Sequence, residues 1–158
     1  MKILIASDSH GNTAALKTAV EREKPDQVFH LGDMIADAGR LAAAFPGLPV
    51  ECVLGNCDGR GDGTQQDRRI LTVGKVKFLL THGHRFHVKL GLGLLAGEGR
   101  SSGVDVVCFG HTHQAMCTRW TGGFWMVNPG TAGGVHAPAT YAVAEVEDGN
   151  VSIELKEL

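Results

Sequence analysis

Ile3-Leu4-Ile5-Ala6-Ser7-Asp8-Ser9-His10 joins a compact apolar run to a carboxylate and an imidazole two residues apart. The apolar part has the length and continuity of a buried strand. Asp and Ser also cap helices, so the segment alone is weak evidence of chemistry. Repetition gives it weight. Residues 29–31 run into Gly32-Asp33, residues 50–54 into Gly55-Asn56-Cys57-Asp58, residues 76–80 into Thr81-His82-Gly83-His84, and residues 106–109 into Gly110-His111-Thr112-His113. In open α/β sheets, ligands bind beyond the carboxyl ends of the strands. These endings therefore bring Asp8, His10, Asp33, Asn56, His82, His111 and His113 to one rim.

Working outward, residues 2–6 predict a strand. Asn12 or Thr13 caps a helix to about residue 23, with Ala15, Leu16, Ala19 and Val20 on one face. Pro25-Asp26 breaks it, and a strand follows over 27–31. A second helix over 36–45 stops at Pro46-Gly47, before a strand over 49–54. This β-α-β-α-β order requires parallel strands and right-handed crossovers. Residues 59–66 are loop-like, and 69–73 with 76–80 flank Gly74-Lys75 as a hairpin. A short or irregular helix is expected within 87–102, because Gly91, Gly93, Gly97 and Gly99 each cost about 1 kcal/mol in a helix interior. Beyond a strand over 104–109, residues 115–120, 124–127, 140–147 and 151–155 read as strands with no helices between them. Gly122-Gly123 and Asp148-Gly149-Asn150 are turn signals, so an antiparallel meander is expected. Two packed sheets with helices outside satisfy this α/β pattern best.

A chain of 158 residues, 43% apolar and 20% charged, is expected to form a single globular domain over residues 1–158. A net charge of −2 argues against a nucleic-acid-binding stripe or a basic membrane face. No apolar run reaches the length of a membrane span. Met1-Lys2 leads into a run too short for a signal peptide, so the cytoplasm is the expected location. Cys52, Cys57, Cys108 and Cys117 lack Cys-x-x-Cys spacing, which argues against a structural zinc knuckle.

The rim set contains two Asp, one Asn and four His, and no thiolate. Mixed imidazole and oxygen donors suit Mn²⁺, Fe, Zn²⁺, Co²⁺ or Ni²⁺. The donors outnumber the needs of one tetrahedral ion and match two ions about 3.5–4 Å apart that share a carboxylate and clamp a water. Two divalent ions, offset by two carboxylates and a hydroxide, leave a small positive charge. That charge attracts a phosphodiester or a phosphomonoester and offers nothing to a neutral ester.

Asp8-x-His10, Gly32-Asp33, Gly55-Asn56-x-Asp58, His82-Gly83-His84 and Gly110-His111-x-His113 together resemble the motifs of the calcineurin-like metallophosphoesterases, across nearly the whole chain. Asn128-Pro129-Gly130-Thr131 is similar to a turn of the family's small phosphodiesterase branch. The resemblance implies a four-layer α/β/β/α sandwich of two mixed sheets with a dinuclear site, Mn²⁺ being the leading choice of ion. It implies one metal on Asp8, His10, Asp33 and His113, and another on Asp33, Asn56, His82 and His111, with Asp33 bridging. Asp33, Asn56, Cys57 and His82 are then the catalytic positions. The implied reaction is hydrolysis of a small phosphodiester or nucleotide-like substrate by in-line attack of a hydroxide between the ions. Cys57 departs from the His found there in many members, which contacts substrate and helps the leaving group.

The remaining singled-out residues have plainer readings. His30 lies inside a strand and reads as core, and Asp58 as a support for ligands rather than a ligand. Arg60 and Arg85 read as solvated, and Trp120 and Trp125 as packing groups. Two alternatives accompany the diesterase reading. One is a phosphomonoesterase on the same site. The other is a protein-docking scaffold, as in a retromer subunit of this fold, whose mark would be lost ligand histidines.

Overall fold

The computed structural model describes residues 1–158. Strand β1 (Lys2–Ala6) is buried from Ile3 to Ala6 because it is the middle strand of its sheet. Helix α1 (Thr13–Glu23) begins where Asn12 Oδ1 accepts the Ala15 N–H at 3.1 Å. Strand β2 (Gln27–His30), helix α2 (Ile35–Ala44) and strand β3 (Val50–Cys52) complete the parallel unit. Strands β4 (Arg68–Val73) and β5 (Val76–Thr81) form the expected hairpin. A 3₁₀ turn (His84–Phe86) and helix α3 (Gly93–Ser102) precede β6 (Val106–Cys108), β7 (Met116–Arg119), β8 (Trp125–Asn128), β9 (Thr140–Glu147) and β10 (Asn150–Glu157).

The strand orders are β10-β9-β1-β2-β3 and β4-β5-β6-β8-β7, two mixed five-stranded sheets. Ile3, Ile5, Phe29 and Leu31 of one sheet meet Phe78, Leu80, Val106 and Val127 of the other in the central core. Outside, α1 and α2 lay Leu16, Ala19, Val20 and Leu41 on Leu4, Val28 and Val143. On the far side, α3 lays Leu95 and Ala96 on Leu79, Val107 and Met126. The result is an α/β/β/α sandwich.

The expected meander does not form. β8 is antiparallel to β7 but parallel to β6, and the β9–β10 hairpin joins the other sheet, with β9 antiparallel to β1. Tyr141, Ala142, Val143 and Ala144 are all buried, so β9 needs cover on both faces. An alternating meander strand with one solvated face cannot supply it. The glycine-rich segment is helical only from Gly93, and Gly99 explains the close packing there. A Cβ at Gly99 would lie 2.6 Å from Val107 Cγ2 and 3.2 Å from Phe124 Cε2. No helix is long and apolar enough to cross a membrane.

Candidate metal centre

The carboxyl ends of β1, β2, β5 and β6, with the turn after β3, meet at one rim. Asp8, His10, Asp33, His111 and His113 all have positive φ, between 45° and 69°. Non-glycine residues pay about 1–3 kcal/mol for such backbone, which persists only where surroundings enforce it. The glycines preceding Asn56 and His111 are part of that enforcement. A Cβ on Gly55 would collide with the Asp33 backbone and carboxylate, and one on Gly110 with Ser7 Oγ and the Asp8 carboxylate.

At one end of the rim, Asp8 Oδ1 lies 3.0 Å from His113 Nε2 and 3.9 Å from His10 Nε2, and the two imidazole nitrogens are 3.4 Å apart. At the other, His82 Nε2 lies 3.4 Å from Asp33 Oδ1, 3.9 Å from Asp8 Oδ1 and 3.1 Å from Asn56 Oδ1. The His111 ring stands 5.0 Å from the His82 ring. All the rim residues named from the sequence are thus brought together. Two compact groups emerge, Asp8-His10-His113 and Asp8-Asp33-His82, with ligand atoms within 4.8 Å of one another in each. Asp8 is common to both, the place that the resemblance gives to Asp33.

The hydrogen bonds behind the rim fix what faces inward. His82 Nδ1–H donates to the Leu31 carbonyl at 2.8 Å, and His113 Nδ1–H to the Val135 carbonyl at 3.2 Å. In the neutral imidazole, Nε2 is then a lone pair, the usual arrangement behind a metal-bound histidine. Those lone pairs face carboxylate and amide oxygens, which are acceptors too. Asp8 Oδ1 is fully buried and has no hydrogen-bond partner. Acceptors converging on one another are reconciled by a proton on an imidazole or by a metal ion between them, and a donor set of imidazole and oxygen fits divalent transition ions.

Residues 1–149 match the calcineurin-like phosphoesterase superfamily domain. The chain belongs to that superfamily. A probable metallophosphoesterase of Bacillus subtilis, YsnB, is 37% identical over 153 residues, covering 94% of this chain and 86% of that protein. A single mutant of Vps29 from Entamoeba histolytica superposes with a TM-score of 0.78 at 22% identity, covering 100% of this chain and 99% of that one. A structure described as a novel archaeal phosphodiesterase superposes with a TM-score of 0.74 at 25% identity, covering 99% and 100%.

In this calcineurin-like site, electrostatics follow burial and charge. Burial disfavours the His82 imidazolium, yet the Asp33 and Asp8 carboxylates outweigh it and hold its pKa above the ordinary value. His111 is pushed down to about 4 by burial, with His82 and Lys89 adding to it. Burial also opposes the Asp33 carboxylate, but His82 and the Cys57 N–H, which donates to Oδ1 at 2.9 Å, hold it ionised. The Cys57 thiol is raised by burial and by Asp33.

The supporting residues are mostly ones that sequence reasoning passed over. Asp58 has the part expected of it, accepting the N–H groups of Asp33, Met34, Ile35 and Gly55 at 2.7–2.8 Å. Ser7 Oγ donates to Asp8 Oδ2 at 2.5 Å, and Thr131 Oγ1 to the Asp8 carbonyl at 2.9 Å. Asn128 Nδ2 donates to the Gly110 carbonyl and Thr112 Oγ1, both at 3.0 Å, tying the Gly-His-Thr-His turn to β8. Buried Ser9 and Asp37 carry no role in the sequence reading, and His30 is read there as core. The only available signal was Ser9's place between two candidate ligands. Arg85 pairs with Asp67.

Proposed function

We propose that the chain is a dinuclear metal-dependent phosphodiesterase acting on small, nucleotide-like diesters. The observation that carries this is the convergence of the unpartnered Asp8 Oδ1 with the Nε2 atoms of His113, His10 and His82 and with Asp33. Asp8, His10, Asp33 and His113 would hold one ion, and Asp33, Asn56, His82 and His111 the other, Mn²⁺ being the preferred metal. Bound there, such ions supply Lewis acidity toward phosphoryl oxygens and lower the pKa of water from 15.7 toward about 7.

The chain's own groups do the rest. Asp33 and His82 hold the centre of the site, and the Asn56 amide lies between His82 and the Cys57 thiol, donating to Sγ at 3.4 Å. Cys57 is exposed at the rim with its thiol protonated at neutral pH, where a leaving group would sit. A thiol is a weak hydrogen-bond donor, which favours diesters whose leaving groups need little protonation. The diester is favoured over the monoester by charge. A dianion calls for additional cations; Arg40 is engaged with Asp37 at 2.9 Å and Arg85 with Asp67, which leaves Lys89, beside His111, as a single further cation. The archaeal neighbour described as a phosphodiesterase is consistent with this choice. The alternative, a metal-binding docking scaffold, fits the Vps29 fold neighbours and differs from this reading in one outcome, metal binding without hydrolysis.

The test is hydrolysis of an aryl phosphodiester and the matching monoester by chelator-treated protein, before and after Mn²⁺ is restored. The expected result is no turnover without metal, and kcat/KM at least about tenfold higher for the diester with it. Metal-independent turnover or a monoester preference overturns the proposal.

A further inference from the structure

Ser9, His30 and Asp37 are each fully buried, and none is needed as a candidate ligand. Their hydrogen bonds can be given a direction. Gly32 N–H donates to His30 Nδ1 at 3.4 Å, which leaves the proton of the neutral ring on Nε2. His30 Nε2–H then donates to Ser9 Oγ at 3.1 Å, and the Ser9 hydroxyl donates to Asp37 Oδ2 at 2.8 Å. The same Asp37 oxygen accepts Gly11 N–H at 2.8 Å, while Oδ1 accepts Thr13 Oγ1 at 3.1 Å and Arg40 Nη1 at 2.9 Å.

The relay therefore starts beside Asp33, at Gly32, and ends beside His10, at Gly11. It joins the two loops that carry Asp8, His10 and Asp33. All three of these residues have left-handed backbone, so their side-chain directions depend on something holding the loops. The strand neighbours of His30 are Val28, Phe29 and Leu31, all buried and apolar, so packing alone would be served by another hydrocarbon side chain.

We propose that His30, Ser9 and Asp37 are positioning residues for the metal centre, setting the separation of the Asp8–His10 loop from the Gly32–Asp33 loop. The proposal rests on the metal-centre reading above. Outer partners of metal ligands typically govern about 10–100-fold in metal affinity.

The test is Mn²⁺ titration of metal-free protein by calorimetry, with the Tm of the same metal-free samples. Ser9→Ala cuts the relay at its middle. His30→Asn places an amide oxygen where Nδ1 stands and keeps the acceptor for Gly32, but it loses the donor to Ser9. His30→Gln can place an amide N–H where Nε2 stands and keeps that donor. Ser9→Ala and His30→Asn should bind Mn²⁺ about 10–100-fold more weakly, with His30→Gln within about threefold of wild type. Wild-type affinity in Ser9→Ala and His30→Asn overturns the proposal. So does an affinity loss that merely follows Tm, with His30→Gln falling as far as His30→Asn. Wild-type protein that binds no divalent ion removes this proposal and the metal reading together. Because the titration contains no substrate, its result does not depend on which ester the loaded protein hydrolyses.

Discussion

Asp8 and Asp33 differ in how much of each carboxylate is free. Asp8 Oδ2 accepts Ser7 Oγ and the His111 N–H, leaving Oδ1 to face the cleft. Asp33 gives up only one acceptor position on Oδ1, to the Cys57 N–H, so both of its oxygens can serve ions. If two ions bind as proposed, this favours Asp33 as the bridge although Asp8 belongs to both compact groups. Asp33→Asn should therefore weaken binding at both positions by more than about 100-fold, beyond the loss of an outer partner. Asp8→Asn should act chiefly where His10 and His113 lie. Metal stoichiometry after dialysis against limiting Mn²⁺ checks this, and two ions retained by Asp33→Asn would make Asp8 the bridge. At this scale the convergence of the candidate ligands was legible because Asp, Asn or His recurs directly after an apolar run. The relay was not. Ser9, His30 and Asp37 are scattered in the chain, each has a commoner reading as cap or core, and only the fold brings them within hydrogen-bonding distance.

Among the elements, α3 shows a contact overriding propensity. Gly97 and Gly99 both lie inside Gly93–Ser102, and both should cost helix stability relative to Ala, by about 1 kcal/mol. Their surroundings differ. Nothing lies within 4 Å of a Cβ at Gly97, while one at Gly99 meets the buried Val107 side chain at 2.6 Å. Gly97→Ala should stabilise by about 0.5–1 kcal/mol. Gly99→Ala should destabilise by about 1 kcal/mol, because overpacking of about 1–3 kcal/mol exceeds the propensity gain. Urea unfolding of the two variants checks the opposite signs, and a stabilising Gly99→Ala would mean that α3 shifts off the sheet at little cost. Glycine density correctly announced a poor helix, but sequence spacing carried no information about which glycine touches the sheet. The same limit explains the failed meander. Turn signals at Gly122-Gly123 and Asp148-Gly149-Asn150 locate hairpins, yet they say nothing about which sheet a hairpin joins. That is settled by the two-sided burial of β9 against β1.

Over the whole molecule, the last hairpin must be held to the first parallel unit, since β9 and β10 are remote in sequence from β1 and α1. Glu23, almost wholly buried at the end of α1, makes that link. Its Oε1 accepts Tyr141 Oη at 2.8 Å, Lys156 Nζ lies 3.1 Å from both carboxylate oxygens, and Lys2 Nζ lies 3.7 Å away. Burial raises the cost of the charge, but Tyr141 and Lys156 together outweigh it and hold the Glu23 pKa below the ordinary value. The sign of the linkage follows. A carboxylate with a depressed folded-state pKa contributes stability that is complete above its unfolded value, about 4.3. That stability is lost as pH falls through the lower, folded-state value. Glu23→Gln keeps the size and an acceptor for Tyr141 but removes the charge facing Lys156. At pH 7 it should cost about 1.5–3 kcal/mol, the range for hydrogen bonds to charged groups. The gap from wild type should begin to narrow as pH drops below about 4 and go on narrowing toward the lower, folded-state value, where native Glu23 itself becomes neutral. Asp33 and Asp37, whose pKa values are also depressed, make both proteins acid-sensitive, but they do so equally and cancel in the difference. Urea unfolding of metal-free wild type and Glu23→Gln from pH 7 to 3 reads that difference directly. A gap that stays constant across this range would show that Glu23 holds the hairpin by packing, with no contribution from its charge.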